Sequence, residues 1–230
     1  IPDSVMALGN GLFKDWTALR EVVVSENVTE LPQELFYGCE ALTSVNLSSS
    51  LYKIGMFAFV GCSSLAELDL PATVTELERN TFVGTALTSV SLPNVVTVPE
   101  LAFSGCRSLV EVSLPSAETI SRGVFMNCES LTSAEVPNAV TVGEQAFLGC
   151  ESLTLLELPK AKTIGNNAFQ FCDLLKELRL GASVRSIGSN AFLFCDEMGT
   201  IYYEGTEEEW ALVDDAGVTS AIKIVFSGKE

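Results

Sequence analysis

Phenylalanine recurs every 21 to 23 residues and sets the period of the hydrophobic pattern. A Leu-x-x-Leu-x-Leu pattern follows each Phe, usually six residues later, as in Leu153, Leu156 and Leu158. Its second half alternates with period two, which is typical of a short strand with one buried face. The pattern predicts nine stacked coils whose strands form one parallel sheet. The repeat phenylalanines are Phe13, Phe36, Phe59, Phe82, Phe103, Phe125, Phe147, Phe169 and Phe192.

A second wall is predicted to close each coil. Proline directly follows five of the strands, as Pro71 and Pro159 do, and a residue without an N–H ends strand pairing. An apolar pair such as Ala161 and Ile164 comes next, before a Gly-x-x-Ala-Phe segment such as 165–169. We expect a β-rich solenoid with only short helical turns around each Phe.

The two ends of the chain depart from the repeat. Residues 1–5 match the end of a strand and the start of a return wall, so the chain is expected to begin inside a repeat, with upstream sequence missing. Thr206 to Glu209 form a capping-box sequence that predicts a short helix, and 222–226 are predicted as a last strand. The predicted organisation is therefore repeats over 1–205 and a C-terminal cap over 206–230, since terminal coils of a solenoid need covering.

The repeat units resemble a known family. Residues 164–172, Ile-Gly-Asn-Asn-Ala-Phe-Gln-Phe-Cys, and 187–195, Ile-Gly-Ser-Asn-Ala-Phe-Leu-Phe-Cys, are similar to BspA-like, or Treponema-type, leucine-rich repeats. The likeness covers residues 1–205, and residues 201–210 resemble the closing unit of such proteins. It implies a leucine-rich-repeat solenoid, a right-handed superhelix, from a bacterial surface or secreted protein associated with adhesion. Thr85 in place of the repeat cysteine, a coil one residue shorter there, and Ala134 in the sixth full strand depart from the pattern.

Composition and charge exclude some functions. The chain of 230 residues has 47% hydrophobic residues, enough for a continuous core, and a formal net charge of −17. Such acidity is the opposite of what phosphate binding needs, so nucleic acid is not an expected partner. Neither an apolar run of about 18 residues nor a secretory signal is present, so membrane insertion of this segment is not expected.

The residue types disfavour catalysis. The sequence has no histidine, which removes the usual general base and the favoured zinc ligand. Two carboxylate pairs, Glu67 with Asp69 and Glu135 with Glu157, are close enough on the predicted sheet to suggest a glycosidase, but a solvated strand face explains them better. We therefore predict no enzyme, no cofactor and no metal site.

Seven cysteines follow the repeat Phe at a fixed distance of three residues. Equivalent side chains in adjacent coils point the same way, which keeps their Cβ atoms too far apart for a disulfide. We predict a row of buried free thiols that resist thiol reagents in the native protein. They are Cys39, Cys62, Cys106, Cys128, Cys150, Cys172 and Cys195.

The candidate binding surface is the outward side of the strands. Seven of the eighteen outward positions are acidic and one is basic, against 30 acidic residues among 230 in the whole chain, an enrichment of about threefold. A protein or glycan ligand, from a host or its matrix, is expected to carry basic groups. The acidic positions are Glu21, Glu67, Asp69, Glu111, Glu135, Glu157 and Glu177.

An aromatic pair breaks the pattern elsewhere. The residue before the repeat cysteine is Gly or Asn in most coils, which suits a positive φ, but Phe171 and Phe194 occupy it in the last two. Two interpretations are open: the rings pack beneath the cap with Trp210, or they form an aromatic patch that binds a partner.

Three functions follow from these features. The first is a binding or adhesion module that presents the acidic face to a macromolecule. The second is a passive spacer in a longer surface protein, its acidity serving solubility alone. The third is an accessory domain of an enzyme whose catalytic part lies elsewhere.

Overall fold

The computed structural model describes residues 1–228, so the last two residues of the predicted cap lie outside the described part. Short strands run along two walls of a solenoid. The front wall holds β1 (Glu21–Val23), β3 (Ser44–Asn46), β6 (Ser89–Ser91), β8 (Glu111–Ser113), β10 (Ser133–Glu135), β12 (Leu155–Leu158), β14 (Glu177–Leu180), β16 (Thr200–Tyr203) and β17 (Lys223–Phe226). The return wall holds β2 (Glu30–Leu31), β4 (Lys53–Ile54), β5 (Glu76–Leu77), β7 (Thr97–Val98), β9 (Thr119–Ile120), β11 (Thr141–Val142), β13 (Thr163–Ile164) and β15 (Ser186–Ile187).

Every paired strand is parallel to its neighbour, and each pairing joins equivalent residues of successive coils, as with Val112 and Ala134. The predicted solenoid of parallel strands is thereby confirmed. The front wall differs from the prediction in one respect, because its strands form three blocks instead of one sheet. The blocks are β1–β3, then β6–β8–β10, then β12–β14–β16–β17.

The first interruption lies where a strand over 67–69 was predicted and does not form. The spacing of equivalent residues changes here from 23, between Ser44 and Glu67, to 22, between Glu67 and Ser89. Leu68 and Leu70 stay partly exposed, whereas their counterparts Val90 and Leu92 are buried. The strand is therefore lost in the coil at which the repeat length changes, where the register to the next coil differs from the register to the previous one.

The Phe segments do not form the expected helical turns. In the coil of Phe147 two four-residue β-turns follow each other, with Leu148 N–H donating to Gln145 O at 3.1 Å and Cys150 N–H donating to Phe147 O at 3.2 Å. Gln145 and Gly149 have φ of 58° and 71°, and left-handed residues interrupt a right-handed helix. Phe147 N–H instead donates to Ala168 O in the next coil, at 2.8 Å, so these segments also bind the coils together.

Aromatic stacking runs through the core. Adjacent rings of the nine repeat phenylalanines lie 5.2 to 5.7 Å apart, with interplanar angles of 4° to 29°. Offset stacking of this kind adds to the free energy gained by burial. Since each ring needs a ring above and below it, stability depends on neighbouring coils more than on any single coil.

The cysteines form the predicted row of free, buried thiols. Each thiol donates to the carbonyl of the repeat Phe in the preceding coil; Cys128 Sγ lies 3.2 Å from Phe103 O. Thr85, which replaces one cysteine, is buried and lies 3.3 Å from Cys106 Sγ through its Oγ1. Burial raises the pKa of the thiols, and the pKa of Cys106 rises to about 11.

The C-terminal segment closes the last coil. Helix α1 (Glu207–Trp210) begins with the predicted capping box, in which Thr206 and Glu209 bond each other's backbone N–H. It ends at Trp210, whereas the sequence predicts a helix that continues to Leu212. Trp210 packs edge-on against Tyr203, with ring centroids 5.1 Å apart, and β17 pairs with β16.

Candidate functional site

The outward side of the front wall is a continuous solvated surface. All eighteen predicted outward positions are exposed or half-buried, while seven of the nine inward residues between them, such as Val112 and Leu156, are buried. We call this surface the strand face. The seven acidic candidates all lie on it: Glu21 in β1, Glu67 and Asp69 beside the first interruption, Glu111 in β8, Glu135 in β10, Glu157 in β12 and Glu177 in β14.

The acidic residues differ in their surroundings. Arg179 lies 3.2 Å from Glu157 and 3.6 Å from Glu177, and its guanidinium also lies 5.7 Å from the ring centre of Tyr202. One cation thus partly neutralises two carboxylates at this end. Within residues 1–228, no salt bridge reaches Glu67, Asp69 or Glu111. The strand face is therefore most negative in its first two thirds.

The second interruption of the front wall opens a groove on the strand face. No ladder joins β10 to β12, although they belong to consecutive coils. A cavity of about 380 Å³ lies between them, lined among others by Ala134, Leu155, Pro137 and Pro159. Ala134 is the only small residue at its position, which holds Val or a larger side chain in the other coils. The departure of Ala134 from the repeat pattern is visible in the sequence, but the groove is not.

Backbone hydrogen bonds confirm that the groove is a true break. Between other coils, Leu114 N–H donates to Glu135 O at 2.9 Å and Thr132 N–H donates to Val110 O at 2.9 Å. The equivalent bonds across the groove, from Val136 to Glu157 and from Thr154 to Thr132, are missing among residues 1–228. Two carbonyl oxygens and two N–H groups are thus left open to solvent or to a ligand.

The aromatic pair is exposed. Phe171 and Phe194 stack at 4.9 Å with 43% and 54% of their surface accessible, and both have φ of 60°. The interpretation that they pack beneath the cap is wrong, because Trp210 contacts Tyr203 instead. Leu174 and Leu193, within three residues of them in the sequence, are also exposed.

In the described part of the chain, no three His, Cys, Asp or Glu side chains converge as metal ligands. No helix formed by residues 1–228 is long and apolar enough to cross a membrane.

Comparisons with known proteins agree with this geometry. Six copies of a family model described as the BspA type leucine rich repeat region match residues 1–110 and 82–199. A leucine-rich repeat protein from Bacteroides ovatus superposes with a TM-score of 0.86 at 26% identity, over 98% of this chain and 58% of that one. No curated protein matches the sequence.

Two further structures share the fold. A leucine rich cell surface protein from Faecalibacterium prausnitzii has a TM-score of 0.56 at 24% identity, over 91% of this chain and 66% of that one. A pneumococcal vaccine antigen, PcpA, has a TM-score of 0.59 at 20% identity, over 90% and 62% of the two chains. The chain thus spans about three fifths of the length of these three structures.

Proposed function

The chain belongs to the BspA-type leucine-rich-repeat family, and on that premise we propose that it is a binding or adhesion module of a bacterial cell-surface or secreted protein. Its strand face contacts a protein or glycan partner that carries basic groups. The observation that carries this proposal is the concentration of carboxylates on a face that no other part of residues 1–228 covers.

Size and charge both suit this role. The nine coils that carry the outward positions, at a spacing of about 4.8 Å, give a face roughly 40 Å long, enough for the roughly 800 Å² that one partner contributes to a standard interface. Clustered negative charge attracts basic partners, raises their association rate and repels acidic ones. The serine residues between the carboxylates, such as Ser89 and Ser91, add hydrogen-bonding groups without bulk.

The exposed aromatic pair is proposed as a second contact for the same partner. Phe171 and Phe194 keep a left-handed backbone that bulky residues adopt at a cost, although their rings are only partly covered. Aromatic rings are strongly represented among residues that dominate binding energy, in contrast to the serines of the strand face.

The test neutralises the strand face. The variant carries Glu67→Gln, Asp69→Asn, Glu111→Gln, Glu135→Gln and Glu157→Gln, and its binding to immobilised matrix proteins and host cells is measured at low and high salt. We expect weaker binding than wild type and a smaller salt dependence, because exposed charges act through a screened field.

A matched control removes the same number of negative charges, but from positions outside the strand face. Glu40, Glu100, Glu118, Glu144 and Glu151 are exposed, and each is changed to Gln. Both variants should melt like wild type. If the strand-face variant still binds as wild type does and its binding is insensitive to salt, the binding surface lies elsewhere. The same follows if the control variant loses as much binding as the strand-face variant.

A further inference from the structure

The groove between β10 and β12 holds several unused hydrogen-bond acceptors. Glu135 and Glu157 stand on either side of it, and each carboxylate is fixed from its far side: Ser113 donates to Glu135 Oε2 at 2.6 Å, and Arg179 Nη1 donates to Glu157 Oε1 at 3.2 Å. Among residues 1–228, no hydrogen bond reaches the other carboxylate oxygen of either residue. Two oriented carboxylates thus have one free oxygen each.

The backbone adds two acceptors at the same place. Thr154 O and Glu135 O each accept a bond from a neighbouring coil, from Lys176 and Leu114 respectively. Their counterparts at the groove, Thr132 O and Glu157 O, accept no bond from Thr154 N–H or Val136 N–H across it. A ligand with several donors and a positive charge would satisfy these groups together.

The remaining lining combines the hydroxyl-bearing residues Thr132, Ser133 and Thr154 with apolar side chains. Ala134, Leu155, Pro137 and Pro159 contribute the carbon surface of the cavity, whose volume of about 380 Å³ admits one long side chain. An arginine combines an aliphatic stem with a planar group of five donors that can bridge two carboxylates, whereas lysine offers a single strongly hydrated charge. Shape and charge therefore both favour arginine.

We propose that the groove between β10 and β12 is a specific site for one arginine side chain of the partner protein. The guanidinium lies between Glu135 and Glu157, and the stem lies against Leu155 and the two prolines. This proposal rests on the proposed function, since it names the group on the partner that the strand face selects.

The test uses a small probe with a matched uncharged twin. The acetylated and amidated peptide Gly-Ser-Arg-Ser-Gly is titrated into the isotopically labelled protein. A second titration uses the same peptide with citrulline in place of arginine. We expect saturable shifts in the amide signals of Ala134, Val136, Leu155 and Glu157 with the arginine peptide only, because citrulline keeps the shape and loses the charge.

Three variants then separate this site from the strand face as a whole. E135Q/E157Q should weaken arginine-peptide binding about tenfold or more, while E67Q/D69N, with the same change in charge, should alter it less than about twofold. A134V, which gives the coil the side chain found in β6 and β8, should close the groove and weaken binding similarly without removing a charge.

The outcomes discriminate between the two proposals. Shifts spread over the strand face, equal binding of the citrulline peptide, or an equal loss in E67Q/D69N would overturn the arginine site. If the five-residue strand-face variant still loses salt-sensitive partner binding in that case, the proposed function stands without it. If partner binding is also unchanged, both proposals fail.

Discussion

At the scale of single residues, the same residue type plays opposite parts in neighbouring positions. Phe169 is fully buried between two other rings, whereas Phe171, two residues on, is 43% exposed with φ of 60°. At the position of Phe171, other coils place Gly38, Gly61 or Gly84, also with positive φ. Burial in the core therefore explains why position 169 holds a Phe, but it does not explain why position 171 does.

This difference predicts a contrast in stability. Phe169→Ala should lower the free energy of unfolding by about 3–5 kcal/mol, because it leaves a cavity in the stacked core. F171G/F194G should change it by less than about 1 kcal/mol, because relief of the left-handed backbone offsets the lost contact between two exposed rings. Urea titrations measure both values. A loss of several kcal/mol in F171G/F194G would show that the pair is structural after all.

The buried thiols predict an alkaline limit to stability. Burial raises their pKa above the ordinary value of 9.0, so the unfolded chain ionises while the folded chain stays protonated. The stabilising contribution is present below about pH 9 and is lost as pH rises through the folded pKa, which for Cys106 is about 11. Each thiol adds a slope of up to about 1.4 kcal/mol per pH unit.

Urea titrations under reducing conditions between pH 7.5 and 10.5 would measure that slope. Cys106→Ser should reduce this slope by up to about 1.4 kcal/mol per pH unit, the value for one proton. At pH 7.5 the folded protein should not react with thiol reagents, whereas the denatured protein should. A flat stability profile, or rapid labelling of several thiols in the folded protein, would contradict the burial of this row.

At the scale of elements, the sequence predicts most of the fold and misses the breaks between strands. The period-two pattern around Val112 and the prolines after the strands suffice for the walls, because each coil repeats the same local signals. The division of the front wall into three blocks depends on how each coil packs against the next, as at Leu68 or Ala134. The pattern within one coil does not contain that information. The helical turns were expected from segment length, and the left-handed residues such as Gln145 prevented them.

The break beside Ala134 predicts fast amide exchange inside the front wall. The N–H groups of Val136 and Thr154 lack the inter-coil bonds that Leu114 and Thr132 form, so they should exchange faster than these two equivalents. A134V should slow their exchange and raise the free energy of unfolding by about 1 kcal/mol, through burial of two additional methyl groups. Equal protection of all four amides would mean that the wall is continuous in solution.

At the scale of the whole molecule, the site is harder to predict than the fold. The acidic strand face follows from alternation alone, since Glu111 and Glu135 must point away from Val112 and Val136. Two other features depend on three coils at once. They are the pairing of Arg179 with Glu157 and Glu177, and the groove that Glu135 and Glu157 border. Exposure of the aromatic pair likewise depended on where Trp210 packs.

The segment after residue 205 covers the last coil of the solenoid, whose strand edge would otherwise be open. Here β17 pairs with β16 along four residues, and Trp210 covers Tyr203. Removal of residues 206–230 would leave the hydrogen-bonding edge of β16 and an apolar coil end in water, which favours edge-to-edge association.

We expect the shortened protein to melt at a lower temperature and to form dimers or larger species in light scattering. Trp210→Ala in the full chain should lower stability by about 3 kcal/mol while the protein stays monomeric, because β17 still covers the edge. Deletion of residues 227–230 alone should do neither, since it leaves β17 in place. A monomeric protein of unchanged melting temperature after removal of 206–230 would mean that the coil of β16 closes the solenoid by itself, and that the segment after it serves another purpose than covering the end.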